Sequence, residues 1–252
     1  MMYTFGTGAM WGTPLTDASG TAISNPTPVL LGVLQDVSVD ISFDNKPLHG
    51  TRQFAVAMGR GKGKIGGKAK FAQINGATLN SLFFGQTVTT SLLADVHDIT
   101  GAAIPTTPFT ITPTVPNAGT WSVDLGARDS NGVPMTRVAS APTTGQYSVS
   151  AGVYTFAAAD TGKTVYISYQ YTATSTTAKT STVTNLTMGD APSFRCDLFS
   201  SFGGKGLTLS LFNCFTNKLQ VSTKQEDFLI PEFDFDAIAD GAGRVLQWGM
   251  GE

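Results

Sequence analysis

The chain has 252 residues, of which 13% are charged and 41% hydrophobic, with 28 glycines and a formal net charge of -2. That length suits one large domain or two modest ones. The hydrophobic content excludes a disordered polymer, and the charge excludes a globally basic nucleic-acid binder while leaving local patches open. Cys196 and Cys214 are too few for a disulfide framework and lack a CxxC spacing, so they read as reduced thiols packed in a sheet. Met1 to Leu15 holds Gly, Thr and Trp where a secretory segment needs a basic start and an unbroken apolar stretch. No run approaches the roughly 18 apolar residues of a membrane helix, so the Asn185-Leu186-Thr187 sequon carries no information and a reducing cytoplasm is the expected site of synthesis and assembly.

Taken in order, residues 1–28 are rich in Gly and Pro with little periodicity, and they predict an extended arm that orders only against something else. Met10 and Trp11 give it an anchor. From Val37 to Phe43 apolar residues alternate with Asp36, Ser38, Asp40, Ser42 and Asp44, the period of a strand with one dry and one charged face. A polar excursion over Asn45 to Arg52 follows, then a second strand at Phe54, Val56 and Met58. In a third, Lys62, Lys64, Lys68 and Lys70 share a face opposite Ile65, Ala69 and Phe71. Residues Asn75 to Gly85 predict a short helix: Asn75 caps it, Leu79, Leu82 and Phe83 form its apolar stripe, and Gly85 ends it in the left-handed conformation. Such a helix is too short to stand alone and must lie on the sheet's dry face.

Val88, Leu92, Leu93 and Val96 allow another strand or two before Pro105 and Pro108 mark a break. Between Phe109 and Thr174 the composition shifts to Thr, Ser, Ala, Val and Tyr. Turn signals at Asn131-Gly132, Ala151-Gly152 and Asp160-Thr161-Gly162 space short strands as in a small β-sandwich or a set of hairpins. Long strands return at Phe194 to Leu198 and Leu207 to Leu211, and a slip of parity at Leu211-Phe212 predicts a bulge before Cys214. The Phe-rich and acidic end is expected to include a short helical turn from Phe235 to Gly241. Three segments result: an arm, 1–28; a β domain, 29–104 and 175–252; and an inserted small β-module, 105–174.

Motifs of catalysis or cofactor binding are weak. Gly61, Gly63 and Gly66 satisfy GxGxxG, but a dinucleotide site needs a helix to start there, and Lys64 to Phe71 continue at a period of two. The P-loop order fails at Ala69. These glycines fit bulges or places of close backbone approach. The lysines attract phosphate, yet no aromatics interleave with them for base stacking, and Asp36, Asp40 and Asp44 are expected opposite them as cross-strand partners. Glu226, Asp227, Glu232, Asp234, Asp236 and Asp240 do not follow the calcium-loop order, because Ile238 stands at the third ligand position, and read as a solvated or interfacial face. His49 and His97 assemble neither a triad nor a zinc site, and no GxSxG elbow occurs. No catalytic residue, metal ligand or cofactor is expected.

The runs LQDVSVDISFDNKPLHG (34–50) and FAVAMGRGKGKIGGKAKFAQINGATLNSLFFG (54–85) resemble, in element order, the N-terminal half of phage tail tube proteins. The runs GDAPSFRCDLFSSFGGKGLTLSLFNC (189–214) and KQEDFLIPEFDFDAIADGAGRV (224–245) are similar to that family's end. The segment from Gln146 to Tyr169 looks like β-modules that recur in phage structural proteins. The resemblance implies a mainly-β fold, an antiparallel β-sandwich or barrel of the tail tube type with a short flanking helix, plus the inserted all-β module on the tube exterior. It implies homo-hexameric rings stacked into a tube through which genomic DNA passes, in the virion tail, assembled in the bacterial host cytoplasm. The partners it implies are further copies of the chain, the tape measure, the tail terminator and the baseplate or tip, with transient non-specific DNA contact and no membrane insertion. On this reading Asp36, Asp40, Lys64, Lys68 and Lys70 face the lumen, and Asp44, Lys46, His49 and Arg52 belong to a loop reaching the next ring. A capsid-decorating or receptor-binding phage protein is the alternative, and a β-sandwich carbohydrate-active enzyme, which needs paired carboxylates in an aromatic cleft, is a third.

Overall fold

A computed structural model describes residues 6–73, 75–223 and 225–251. With 52% of residues in strands and 6% in helix, the chain is mainly β with antiparallel sheets and one short helix. In chain order the strands are β1 (Ala9–Pro14), β2 (Val29–Leu30), β3 (Leu34–His49) and β4 (Ala55–Phe71), then α1 (Gly76–Leu79), continued by a π-turn over Asn80–Phe84. Next come β5 (Ser91–Val96), β6 (Ala102–Ala103), β7 (Thr110–Ile111), β8 (Thr120–Asp129), β9 (Thr136–Arg137), β10 (Gln146–Ser150), β11 (Val153–Phe156) and β12 (Thr164–Thr174). The chain ends with β13 (Ser193–Phe202), β14 (Lys205–Gln220), β15 (Glu232–Ile238) and β16 (Leu246–Met250).

Two compact units result: unit 1 holds residues 1–88 and 181–252, unit 2 residues 89–180. The inserted unit is therefore longer than the expected 105–174. The Pro105 and Pro108 break lies inside it, because β5 pairs with β12 from Val96↔Tyr169 to Ser91↔Thr174. Only that pairing, between residues far apart in sequence, shows that 91–96 belong to the insertion.

Unit 1 is one eight-stranded sheet in the order β2-β1-β13-β14-β15-β4-β3, with β16 also on β14. Its end strands β2 and β3 are joined only by Leu31, Gly32 and Val33, so the sheet has to curl until its ends come near each other. Gly32 makes that corner: its φ is +45°, and a Cβ there would lie 2.3 Å from the Gln73 carbonyl oxygen. The enclosed face holds Met10, Leu34, Phe71, Leu82, Phe194, Cys196, Leu211, Cys214, Phe233 and Phe235. Asn75 Oδ1 accepts from the Ala77 amide at 2.9 Å, Gly85 closes the turn at φ +57°, and Leu82 is fully buried. The expected cap, stop and apolar stripe are all present. The expected bulge is present too, since β14 passes from Leu211 to Cys214 while β13 passes only from Cys196 to Phe194. Cys196 and Cys214 are buried free thiols; burial pushes Cys214 up to about 12 and Cys196 well above its ordinary range.

The arm expected at 1–28 is corrected in part. Ala9 to Pro14 form β1, antiparallel to β13 from Ala9↔Phe199 to Pro14↔Phe194; residues 1–5 lie outside the described residues. Met10, Gly12 and Pro14 point inward, and Gly12 is the close contact of Leu82, whose Cδ1 would be 2.8 Å from a Cβ. A glycine and a proline at inward positions hide the alternation from a hydropathy reading. The expected helical turn at Phe235–Gly241 is likewise a strand, β15, followed by a loop.

Unit 2 packs two four-stranded sheets, β7-β11-β10-β9 and β5-β12-β6 with β8 on β12, around Tyr147, Tyr154, Phe156, Ile167, Tyr169 and Tyr171. The β10–β11 connection turns through Ala151 and Gly152, both at positive φ. Inside lies Asp124, its side chain only 3% exposed. It accepts hydrogen bonds from Tyr147 Oη (2.7 Å), Tyr154 Oη (3.0 Å) and the Gly126 amide (3.0 Å). A buried carboxylate is tolerable only when satisfied in this way. Burial, then the hydrogen bond to Asp124, pushes the Tyr147 phenol up to about 12. Its folded-state pKa is above its ordinary value, so the neutral phenol contributes stability that is complete below about pH 10 and is lost as pH rises toward about 12. In a tyrosinate absorbance titration, Tyr147→Phe is expected to remove a step near pH 12; loss of a step near pH 10 would contradict the buried network.

Candidate functional site

The charged face is built by three adjacent strands. β3 pairs with β4 and β4 with β15, so Asp36 and Glu232 flank Lys70, Ser38 and Asp234 flank Lys68, and Asp40 and Asp236 flank Gly66. Lys64 stands opposite Ser42. Asp36, Asp40, Lys64, Lys68 and Lys70 thus share one face, turned away from the apolar core. The pairing differs from expectation: the lysines form their ion pairs with β15 rather than with β3. Lys64 Nζ is 3.5 Å from Asp236, Lys68 Nζ is 3.6 Å from Asp234 and 3.9 Å from Glu232, and Lys70 Nζ is 3.4 Å from Glu232. Both neighbours offer acids, but only the finished strand order shows which ones the lysines reach. The signal for β15 was nonetheless in the sequence, because Glu232, Asp234 and Asp236 alternate with Phe233, Phe235 and Ala237.

On the opposite face two glycines of the lysine run find their reason. A Cβ on Gly67 would lie 2.2 Å from Cζ of Phe235, and one on Gly63 would lie 2.9 Å from the Phe43 ring. An aromatic ring approaches Gly63 and Gly67, whereas at Gly61, beside the register shift between Phe43 and Asn45, a Cβ would lie 3.0 Å from the Asp44 backbone carbonyl oxygen, as a bulge with close backbone approach requires. The run is one continuous strand with Ala55–Met58 at its head, so the expected second and third strands are a single 17-residue β4, and Phe54 falls in the turn before it.

The expected loop carrying Asp44, Lys46, His49 and Arg52 is also corrected. Asp44, Lys46 and His49 lie within β3, and the chain turns only over Gly50–Phe54, where Arg52 sits. Register shifts between Phe43 and Asn45 and between Leu48 and His49 break the parity that would have marked a strand. Arg60 lies over the Phe43 ring at 4.2 Å. β15 accompanies β4 only from Ile65 to Lys70. Beyond that the two strands form an arm whose Leu48, Phe54, Val56 and Met58 are 62%, 84%, 68% and 67% exposed. Among the described residues no strand pairs with the outer edge of the 16-residue β3.

Among the described residues this surface offers charge, hydration and an unpaired strand edge. His49 belongs to unit 1 and His97 to unit 2. Among the described residues no group of three or more His, Cys, Asp or Glu side chains could hold a metal ion, and no helix is long and apolar enough to cross a membrane. No family model matches the chain, and no curated protein is significantly similar to it. The two faces of β4 should respond differently to substitution. Gly67→Val, which drives a side chain into Phe235, is expected to cost about 1–3 kcal/mol, whereas Lys64→Ala, at an exposed ion pair, should change stability by less than about 1 kcal/mol; urea denaturation of both variants measures the contrast.

Proposed function

We propose that this chain is a self-assembling structural protein, the subunit of a phage-type tail tube, built as stacked, six-membered rings around a channel for DNA. The observation that carries the reading is the β3–β4 hairpin: two long strands with one hydrated charged face, an edge unpaired among the described residues, and apolar side chains standing in solvent beyond the core. A long free edge is a template for pairing with another chain, and closure across subunits converts one face of such a sheet into a continuous wall. The charges suit a channel. Each of Lys64, Lys68 and Lys70 lies within ion-pair distance of an acid, so none meets a passing phosphate un-neutralised. DNA would be hydrated and not held. Asp44 at the arm's root, Lys46 along it, and His49 and Arg52 near its end contact the adjacent ring in this scheme.

Unit 2 is an appendage to this assembly. Thr89 and Thr180 exchange both backbone hydrogen bonds, at 2.9 and 3.0 Å, so the chain enters and leaves the unit side by side and a short turn can replace it. Negative-stain microscopy of the purified protein is expected to show tubes or six-fold rings with a central hole, and deletion of 89–180 should leave thinner tubes. Compact monomers or trimers from the intact chain would overturn the tube and favour a decorating or receptor-binding protein. Soluble, folded but unassembled protein after the deletion would show that unit 2 builds the wall.

A further inference from the structure

The outer part of the arm combines unpaired charge with exposed apolar side chains. Residues 45–62 hold Lys46, Arg52, Arg60 and Lys62 and no acid, in a chain whose formal net charge is -2. Among the described residues none of these four lies within ion-pair distance of a carboxylate, whereas Lys64, Lys68 and Lys70, further along β4, each do. Cations left unpaired in this way attract an anionic surface from about a Debye length away.

The apolar side chains form a stripe. Between the pairs Phe43↔Gly63 and Asn45↔Arg60, β4 spends three residues against two of β3. This bulge turns Arg60 onto the side of Phe43, whose ring it covers at 4.2 Å. Val56 and Met58 alternate with Arg60 and share that side, and Phe54 stands just before them in the turn. From Phe54 to Arg60 the stripe is about 20 Å long at about 3.3 Å per residue, and every residue from 41 to 64 is exposed. A nucleic acid would use the cations and an aromatic ring but would gain nothing from Leu48, Val56 and Met58. A lipid surface uses all of them, because its anionic headgroups lie directly over hydrocarbon.

We propose that the arm docks on an anionic lipid surface, with Phe54, Val56 and Met58 entering the headgroup boundary and Lys46, Arg52 and Arg60 meeting the phosphates. The arm lies in the interface and does not cross the bilayer, since a seat of this kind is only about 5–10 Å deep. The contact goes beyond the tube reading. Between stacked rings the arm is taken up by its neighbour, whereas a free subunit, or the ring that ends a tube, presents it to the surroundings.

Flotation of the full chain with lipid vesicles tests this, because bound protein rises with the vesicles and self-associated protein stays below. The wild type is expected to float with vesicles of equal parts phosphatidylcholine and phosphatidylglycerol, to stay below with phosphatidylcholine alone, and to be released by high salt. Phe54→Ser should lower the bound-to-free ratio about tenfold and Arg52→Gln roughly fivefold, each with a wild-type circular dichroism spectrum. Lys179→Gln, which removes the same charge from unit 2, should leave the ratio unchanged. Equal flotation with neutral vesicles, or full binding by both arm variants, would overturn the proposal. Retention of a short DNA duplex by a wild type that ignores the vesicles would overturn it too, and assign the arm to nucleic acid. Tubes that form but never touch the mixed vesicles would overturn the lipid contact and leave the tube reading standing. Floating protein that forms no tubes would support the contact and overturn the tube.

Discussion

Phe233 and Phe235 of β15 lie fully buried and 5.4 Å apart, with Phe71 stacked on the first, Phe83 edge-on to it, and Phe194 against the second. Each such ring contributes about 1.5–3 kcal/mol by burial, and the contacts between rings add to this. The cluster depends on β4 having no side chain at Gly67, where the Phe235 ring sits. It covers the dry face of β3 and β4 only as far as β15 runs. Where that cover ends, at Ile65, the same two strands continue uncovered and become the arm. One packing constraint thus separates core from projection along a single hairpin.

The charged face follows from the same arrangement. A strand whose odd positions are committed to aromatics must present its even positions to water, and β15 does so with Glu232, Asp234 and Asp236. Those acids stand beside the lysines of β4, leaving Asp36 and Asp40 of β3 to add net negative charge at the sheet's edge. Exposed pairs of this kind contribute little to stability. Their effect is on the charge of the surface: each of Lys64, Lys68 and Lys70 has an acid within ion-pair distance.

Several elements were legible because their signals are local. Asn75 and Gly85 bound a helix by hydrogen bonding and φ, Ala151-Gly152 makes its hairpin turn, and the slip at Leu211-Phe212 marks the bulge. Other readings failed where the signal was spread across the chain. Gly12 faces inward because Leu82 occupies the space, so β1 looked irregular. Two register shifts disguised Asn45–His49 as a loop. The boundary of the insertion was misplaced because β5 belongs to it only through its partner β12, some seventy residues later.

Composition and periodicity by themselves determined that this protein is mainly β, that its strands carry one dry and one charged face, and that a capped helix must lie on the dry side. These properties depend on neighbouring residues and a two-residue repeat, which the backbone reads locally. Only the tertiary structure decided the strand order, and with it the ion-pair partners of Lys64, Lys68 and Lys70, the ring that requires Gly67, and the point at which the hairpin leaves the core. Each of these depends on which distant strand lies alongside. That choice is made by packing of the whole unit, not by any single segment.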